Sequence, residues 1–528
     1  MKKTTILVVI FILGLLGASC SKADSPVVEW QRYMEAWNNE NYEEMHLHLS
    51  EKSKGQRSVV DFEAVHEEFK EKMKAEQVSI KLSESFDEES IAEAIEEEEK
   101  IILPFEGEIN SEYGRFTYQG ESSWVYEDEE DRWMLEWDTG YLYTDYEESD
   151  RVETYYEMPQ RGAILDSKGE MLAGSDKAVE IGIVPGRFTE NKETVIAELA
   201  AAFELMQEQI EERLNLSWVE DDSFVDLLVV RYEELDTIEE IHEKSTAATY
   251  RIVQGRTYPK KDPFAHLVGY LGYPSEEEIE KLEEEGFSAD HKVGRVGLEQ
   301  AYEEQLRGLP GRKIQLESKD GEQRELLLEE QVQDGKDVKT TIRSDLQEQL
   351  YQALDGEQSA GSVIDHQTGE ILALVSTPAY DNNEFSLGMS SERFQTLQNR
   401  SDAPLRNRFA NTYSPGSTMK GITGAIGLDG GFIDKNFTID VNGKEWQKDG
   451  SWGGYHVTRV TDPGRPINIE EAYIYSDNIF FAQTALRIGA ETFIDRAKDF
   501  GIGRPLQTAY QWRTSQLANG QSIDKEVL

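Results

Sequence analysis

A single cysteine in 528 residues, Cys20, leaves no possible internal disulfide, so noncovalent packing alone must hold the folded chain. The eight histidines fall into no motif, which removes a histidine-based nucleophile triad from consideration. Basic residues are outnumbered, 54 against 104 acidic ones, and the net charge of -50 repels nucleic acid and anionic lipid. Polyanion partners are therefore excluded, and the acidity itself reads as a solvated surface. Also missing is any Lys-Thr/Ser-Gly triplet between Asn478 and Leu528, a stretch in which only Lys498 and Lys525 carry an amine. Repeats and low-complexity tracts of fold-changing length are absent as well.

The chain is long enough for roughly two to four domains of about 150 residues, and 38% hydrophobic residues suffice for real cores. Lys2 and Lys3 precede an apolar run from Ile6 to Ala18, thirteen residues that are short for a membrane span and typical of a signal-peptide core. Cys20 follows directly. Leu16-Gly17-Ala18-Ser19-Cys20 resembles a bacterial lipoprotein cleavage site, departing from it in Gly17, where such sites carry a larger apolar residue. Residues 1–24 are read as a signal peptide or lipoprotein anchor, with an uncleaved membrane anchor as the rival. Either way, the remainder is expected outside the cytoplasmic membrane and tethered to it.

Three segments follow. In residues 25–146, a helical stretch with Trp30, Tyr33, Met34 and Trp37 gives way to strand-like runs at 115–118, 123–126 and 132–137, a small α+β domain whose aromatic stripe is core packing. The run Glu96 to Glu99 reads as a solvated face. In residues 151–334, Arg161 to Asp166, Gly169 and Leu172-Ala173 read as strand, turn and strand, with helical periodicity at 195–214 and 276–285. Residues 336–528 open with strands at 338–342 and 360–365, the second turning through His366 to Gly369 into a strand at 370–376.

The chemistry lies in this last segment. A serine hydroxyl attacks a carbonyl only if a nearby base takes its proton. Residues three apart on a helix are neighbours, so Ser417 and Lys420 would sit about 5 to 6 Å apart at Cβ. Pro415-Gly416 marks a helix start and Gly421, Ile422, Ala425, Ile426 and Leu428 continue a buried helix. Ser417 is thus expected at a helix N-terminus, where backbone N–H groups help hold an oxyanion. Ser19 to Lys22 and Ser522 to Lys525 share the spacing but lack this context. Downstream, Ser476-Asp477-Asn478 is the one Ser-x-Asn in the chain, although the same residues would also suit a helix N-cap ahead of Ile479-Phe480-Phe481.

Together these residues resemble a class B penicillin-binding protein with a MecA-type N-terminal extension. The likeness covers essentially the whole chain: Trp133 to Asp138 in the first segment; Arg161 to Asp166, Glu180 to Pro185, Ala265 to Tyr270 and Gly297-Leu298-Glu299 in the second. In the third it includes Leu374 to Asp381, Ser414 to Ser417, Trp446 to Asp449 and Trp452 to Tyr455. The fold implied is multidomain α+β: a nuclear-transport-factor-2-like N-terminal domain, a penicillin-binding-protein dimerisation domain, and a serine transpeptidase domain of β-lactamase-like α/β type. The implied activity is cross-linking of peptidoglycan stem peptides by Ser417, activated by Lys420, with Ser476 and Asn478 shuttling protons and binding the substrate amide. β-Lactam antibiotics would acylate Ser417 as substrate mimics. Cell-wall synthesis proteins are implied as partners, and no metal, nucleotide or other cofactor.

The departure is the absent Lys-Thr/Ser-Gly strand, which in the family lines the cleft, contributes to the oxyanion hole and precedes the last helix. Its loss predicts an uncovered sheet edge, an incomplete copy of a longer protein, and weak or absent transpeptidation by residues 1–528. Two other readings are a β-lactamase or D-alanyl carboxypeptidase, in which water replaces the acceptor amine, and a non-catalytic scaffold or pseudoenzyme.

Overall fold

The computed structural model describes residues 24–83, 100–354 and 356–518; Cys20 with the expected leader, and the run Glu96 to Glu99, lie outside them. The chain divides into two units, one holding the residues up to Met158 together with Pro310–Val332, the other Pro159–Leu309 with Gln333–Leu528.

In the first unit the aromatic stripe lies on helix Pro26–Asn38, whose Trp30, Tyr33 and Trp37 are buried. Asn41, Ser50 and Ser58 each accept the backbone N–H three residues on, starting helices Tyr42–Leu47, Glu51–Gln56 and Val59–Lys72. The helices share one core with an antiparallel meander of β1 (Ala75–Leu82), β2 (Lys100–Ser111), β3 (Gly114–Glu127) and β4 (Arg132–Glu136), in that order across the sheet. Along β2 every second residue from Ile101 to Phe105, and Ile109 beyond, points into the core, as a half-buried strand requires.

The two runs expected at 115–118 and 123–126 are one strand, β3. Gly120 does not break it, because it pairs with Phe105, whose ring lies across the space a side chain would fill. Gly107 pairs likewise with Tyr118, and a Cβ there would stand 2.1 Å from the Tyr118 ring. Tyr118 cannot yield freely, since its hydroxyl donates to the Tyr141 carbonyl at 2.8 Å in the core. Gly107→Ala should therefore destabilise the first unit by about 1–3 kcal/mol through overpacking, seen as an earlier denaturant midpoint with an unchanged slope.

The expected middle segment, 151–334, is divided between the units. Its ends, Arg151–Glu157 and the hairpin Gly311–Glu317 with Gln323–Glu330, form a three-stranded antiparallel sheet with 311–317 at the centre. Ile314, Leu316 and Leu327 join the aromatic core of the first unit. Alternating apolar residues in the hairpin find their cover there, which no linear segmentation reveals.

The second unit is built around strand Met171–Ile183, which pairs antiparallel with Val225–Arg231 on one edge and Ala248–Thr257 on the other. Its first residues pair with Ile164–Leu165, itself parallel to Val338–Lys339, a shorter strand than the expected 338–342. The single helical stretch expected at 195–214 is two helices, Lys192–Ala202 and Gln207–Leu214, parted where Glu204 takes a positive φ of 51°. Glu299, wholly buried, binds Arg161 at 2.8 Å and Arg256 at 2.7 Å and accepts from the Tyr258 hydroxyl at 3.1 Å. These contacts pin three separate chain segments together.

Toward the site, strands Ser359–Ile364 and Ile371–Thr377 form the expected hairpin, and among the described residues pair only with each other. Gln347 of helix Ser344–Leu354 clamps the second strand, donating to the Leu374 carbonyl at 2.8 Å and accepting its N–H at 2.7 Å.

Candidate active site

Gly416 takes φ of 57°, a conformation that costs a glycine little, and opens a single 3-10 turn, Gly416–Thr418, that leads into helix Met419–Asp429. Ser417 thus lies in the turn just before the α-helix, exposed to solvent, and Lys420 on the first helical turn. The Thr418 hydroxyl donates to the Pro415 carbonyl at 2.6 Å and fixes the turn.

The spacing brings Ser417 and Lys420 together as expected, and the fold adds Ser476. Lys420 Nζ donates to Ser417 Oγ at 3.1 Å, to Ser476 Oγ at 2.9 Å and to the Ser476 carbonyl at 2.7 Å; the two serine oxygens are 3.1 Å apart. Ser476 reaches this place through a left-handed backbone, φ 50°, in the corner between helices Ile469–Ile474 and Asn478–Ile488. Asn478 stands apart from the triangle: its Nδ2 donates to the Thr458 carbonyl at 2.8 Å.

The capping role open to Ser-Asp-Asn falls to Asp477, whose Oδ1 accepts the Phe480 N–H at 2.8 Å. That leaves the Ser476 hydroxyl to Lys420 and Ser417, and the Asn478 amide to the Thr458 carbonyl. Asp477 Oδ2 accepts from Arg459 at 3.2 Å, both side chains being buried, and Arg459 also binds Asp462 at 2.8 Å and the Gly443 carbonyl at 2.9 Å. Burial pushes the Lys420 amine below its ordinary pKa of 10.5, while the negative charge of Asp477 pulls the other way.

Arg459 and Tyr473 escaped the sequence reading. The Tyr473 hydroxyl donates to the Lys420 carbonyl at 3.1 Å and steadies the first turn of the nucleophile helix. Tyr473 shares the helix Ile469–Ile474 that leads into Ser476, a proximity legible in the sequence; Arg459 gave no signal at all. Beside Thr458, the hairpin Glu445–Trp446 with Val457–Thr458 carries an aromatic ledge, Trp446 against Trp452 at 5.5 Å and Trp452 against Tyr455 at 6.0 Å.

Acyl transfer by a serine that relies on lysine rather than histidine is the chemistry of the penicillin-recognising enzymes, and that is the class this site defines. Three family models match: an NTF2-like N-terminal transpeptidase domain over 25–150, a penicillin-binding protein dimerisation domain over 156–340, and a penicillin-binding protein transpeptidase domain over 360–527. Penicillin-binding protein 3 of Bacillus subtilis (strain 168) is 34% identical over 533 residues, spanning 100% of this chain and 78% of that protein. The peptidoglycan D,D-transpeptidase MrdA of Escherichia coli (strain K12) is 29% identical over 377 residues, 68% of this chain and 58% of MrdA. MrdA of Acinetobacter baumannii is 28% identical over 352 residues, 66% of this chain and 52% of that protein, so the chain spans just over half the length of these MrdA relatives. In fold it is similar to a chain from the complex between penicillin-binding protein PBP2 and MreC of Helicobacter pylori, with a TM-score of 0.51, 23% identity, and coverage of 67% of this chain and 66% of that one. The chain belongs to the class B penicillin-binding proteins, and this kinship places it among the serine-type D,D-transpeptidases of peptidoglycan synthesis.

Proposed function

We propose that Ser417 is the nucleophile of a peptidoglycan D,D-transpeptidase and Lys420 its base. The observation that carries this reading is the setting of the amine, which touches both serine hydroxyls and, among the described residues, has no carboxylate among its hydrogen-bond partners. Ser417 Oγ attacks the carbonyl of the D-Ala-D-Ala bond in a stem peptide and passes its proton to neutral Lys420. That proton moves through Ser476 to the departing D-alanine amine, leaving an acyl-enzyme. The amine of a neighbouring stem peptide then attacks the ester, gives up a proton along the same path, and restores the Ser417 hydroxyl. Asn478, beside the aromatic hairpin, binds the substrate amide. β-Lactams enter at the first step and stop at the acyl-enzyme.

The setting we propose is the outer face of the cell membrane, with Cys20 as lipid anchor. Among the described residues no helix is long and apolar enough to cross a membrane. Cell-wall synthesis proteins are the proposed partners, the class to which the Helicobacter complex points.

The test is covalent. Incubated with benzylpenicillin, the chain should gain one adduct by intact mass, and Ser417→Ala should gain none. An adduct that persists in Ser417→Ala would sink the assignment. The rate should also rise with pH: only the neutral amine accepts a proton, so the rising limb ends at the Lys420 pKa, which lies below 10.5.

A further inference from the structure

We propose that the aromatic ledge of Trp446, Trp452 and Tyr455 is a subsite for the sugar rings that carry the stem peptide, so that the protein grips glycan as well as peptide. The inference rests on the transpeptidase reading given above and extends it to a part of the substrate that takes no part in the bond exchange. Trp446 stands opposite Val457 in the hairpin, and the carbonyl of the next residue, Thr458, accepts the Asn478 amide at 2.8 Å. The ledge therefore begins beside the residue assigned to the substrate amide, and Tyr455 lies no more than about 11 Å along the chain from Thr458. In peptidoglycan the reacting D-alanine joins the glycan through a few residues, which span about 10–14 Å when extended.

Three rings turned toward water need a reason, and packing does not supply it. Among the described residues the neighbouring cores gather around Ile439 with Phe480 and around Ile426 with Ile488, and none of the three rings joins either. Trp446 and Trp452 are half-buried, and Tyr455 is 67% exposed. Yet the loop that bears them is held in shape. Gln447 Nε2 donates to the Gly453 carbonyl at 2.7 Å, Asp449 accepts the Ser451 N–H at 2.9 Å, and the Tyr455 N–H donates to the Trp452 carbonyl at 3.0 Å. A Cβ placed on Gly453 or Gly454 would meet nothing within 4 Å, so a ligand can come down on the backbone that joins Trp452 to Tyr455. The negative face of an aromatic ring attracts the positive edge of its partner, and a pyranose offers such an edge in its C–H bonds while its hydroxyls point outward. Lys448 and His456, exposed in the same loop, supply polar partners for those hydroxyls. The stem peptide, charged along its length, gains less from neutral rings.

The experiment is calorimetric binding of two probes to the full chain: a pentapeptide ending in D-Ala-D-Ala, and the same pentapeptide carried on an N-acetylglucosaminyl-N-acetylmuramic acid disaccharide. Wild type should hold the disaccharide form about tenfold more tightly, the margin that one or two aromatic contacts contribute. Trp452→Ala and Tyr455→Ala should each lose most of that margin. Trp452→Phe, which keeps a ring face, should retain it, as should Tyr232→Ala, which removes another exposed ring elsewhere in the second unit. Because the margin is a ratio of two affinities in one protein, a partly unfolded variant weakens both and leaves the ratio intact. Equal affinity for the two probes in wild type, or a margin unchanged in both alanine variants, overturns the proposal. The same wild-type sample is treated with benzylpenicillin. No adduct at Ser417 sinks the transpeptidase reading and this inference with it, whereas an adduct without a margin sinks this inference alone.

Discussion

Lys420→Ala should slow acylation of Ser417 by a β-lactam by about 10²–10⁴-fold, the usual contribution of a positioned general base. Among the described residues the amine is the one group hydrogen-bonded to Ser417 that can accept its proton and hold it. Ser476, 3.1 Å from Ser417, remains in the variant as a relay with nothing behind it. Lys420→Arg should not restore the rate, because a guanidinium keeps its proton and presents no acceptor. The check is the second-order acylation rate constant with a fluorescent penicillin, with folding verified by an unchanged thermal transition. Full activity in the arginine variant would mean that the positive charge, rather than a proton acceptor, is what the reaction needs.

The largest loss of stability is expected from Glu299→Gln, at about 3–5 kcal/mol, the range for breaking a buried ion pair by removing one partner. Glu299 is wholly buried between Arg161 and Arg256, whose side chains are 11% and 5% exposed. Glutamine fits the space but leaves one guanidinium without a counter-charge. Arg161 keeps Glu303 at 2.6 Å, so the stranded group is Arg256, which retains the Gly162 carbonyl at 2.7 Å as a neutral partner. Denaturant unfolding should show the second unit melting earlier. The double variant Glu299→Gln/Arg256→Met, which removes the stranded charge, should recover part of the loss. A Glu299→Gln protein as stable as wild type would show that neutral partners such as the Gly162 carbonyl alone satisfy Arg256.

What could be read from the sequence was local. Trp30, Tyr33 and Trp37 declared a helix by their spacing, and Ser417 found Lys420 because three residues make almost one helical turn. The hairpin at 359–377 was visible because a short polar turn joins two apolar runs. What could not be read depended on distant partners. The Ser-x-Asn pattern singles out Ser476, but not the positive φ with which it reaches Lys420; Arg459 reaches Asp477 across a fold no spacing rule spans, and Gly120 passes for a strand break until Phe105 is seen lying over it. The division into compact units was hidden for the same reason: the strand at 311–317 shows its affinity for 151–157 only once both are paired.

That pairing has a consequence for how the protein is made. Synthesis proceeds from the N-terminus, so Trp30, Phe105 and Trp124 leave the ribosome long before Ile314, Leu316 and Leu327, which complete their core. The intervening residues Pro159–Leu309 emerge as an insertion between two halves of one unit. During that interval the nascent first unit holds an unfinished core, the state in which a chaperone would find it, and its last two strands can close only after some three hundred residues have been polymerised.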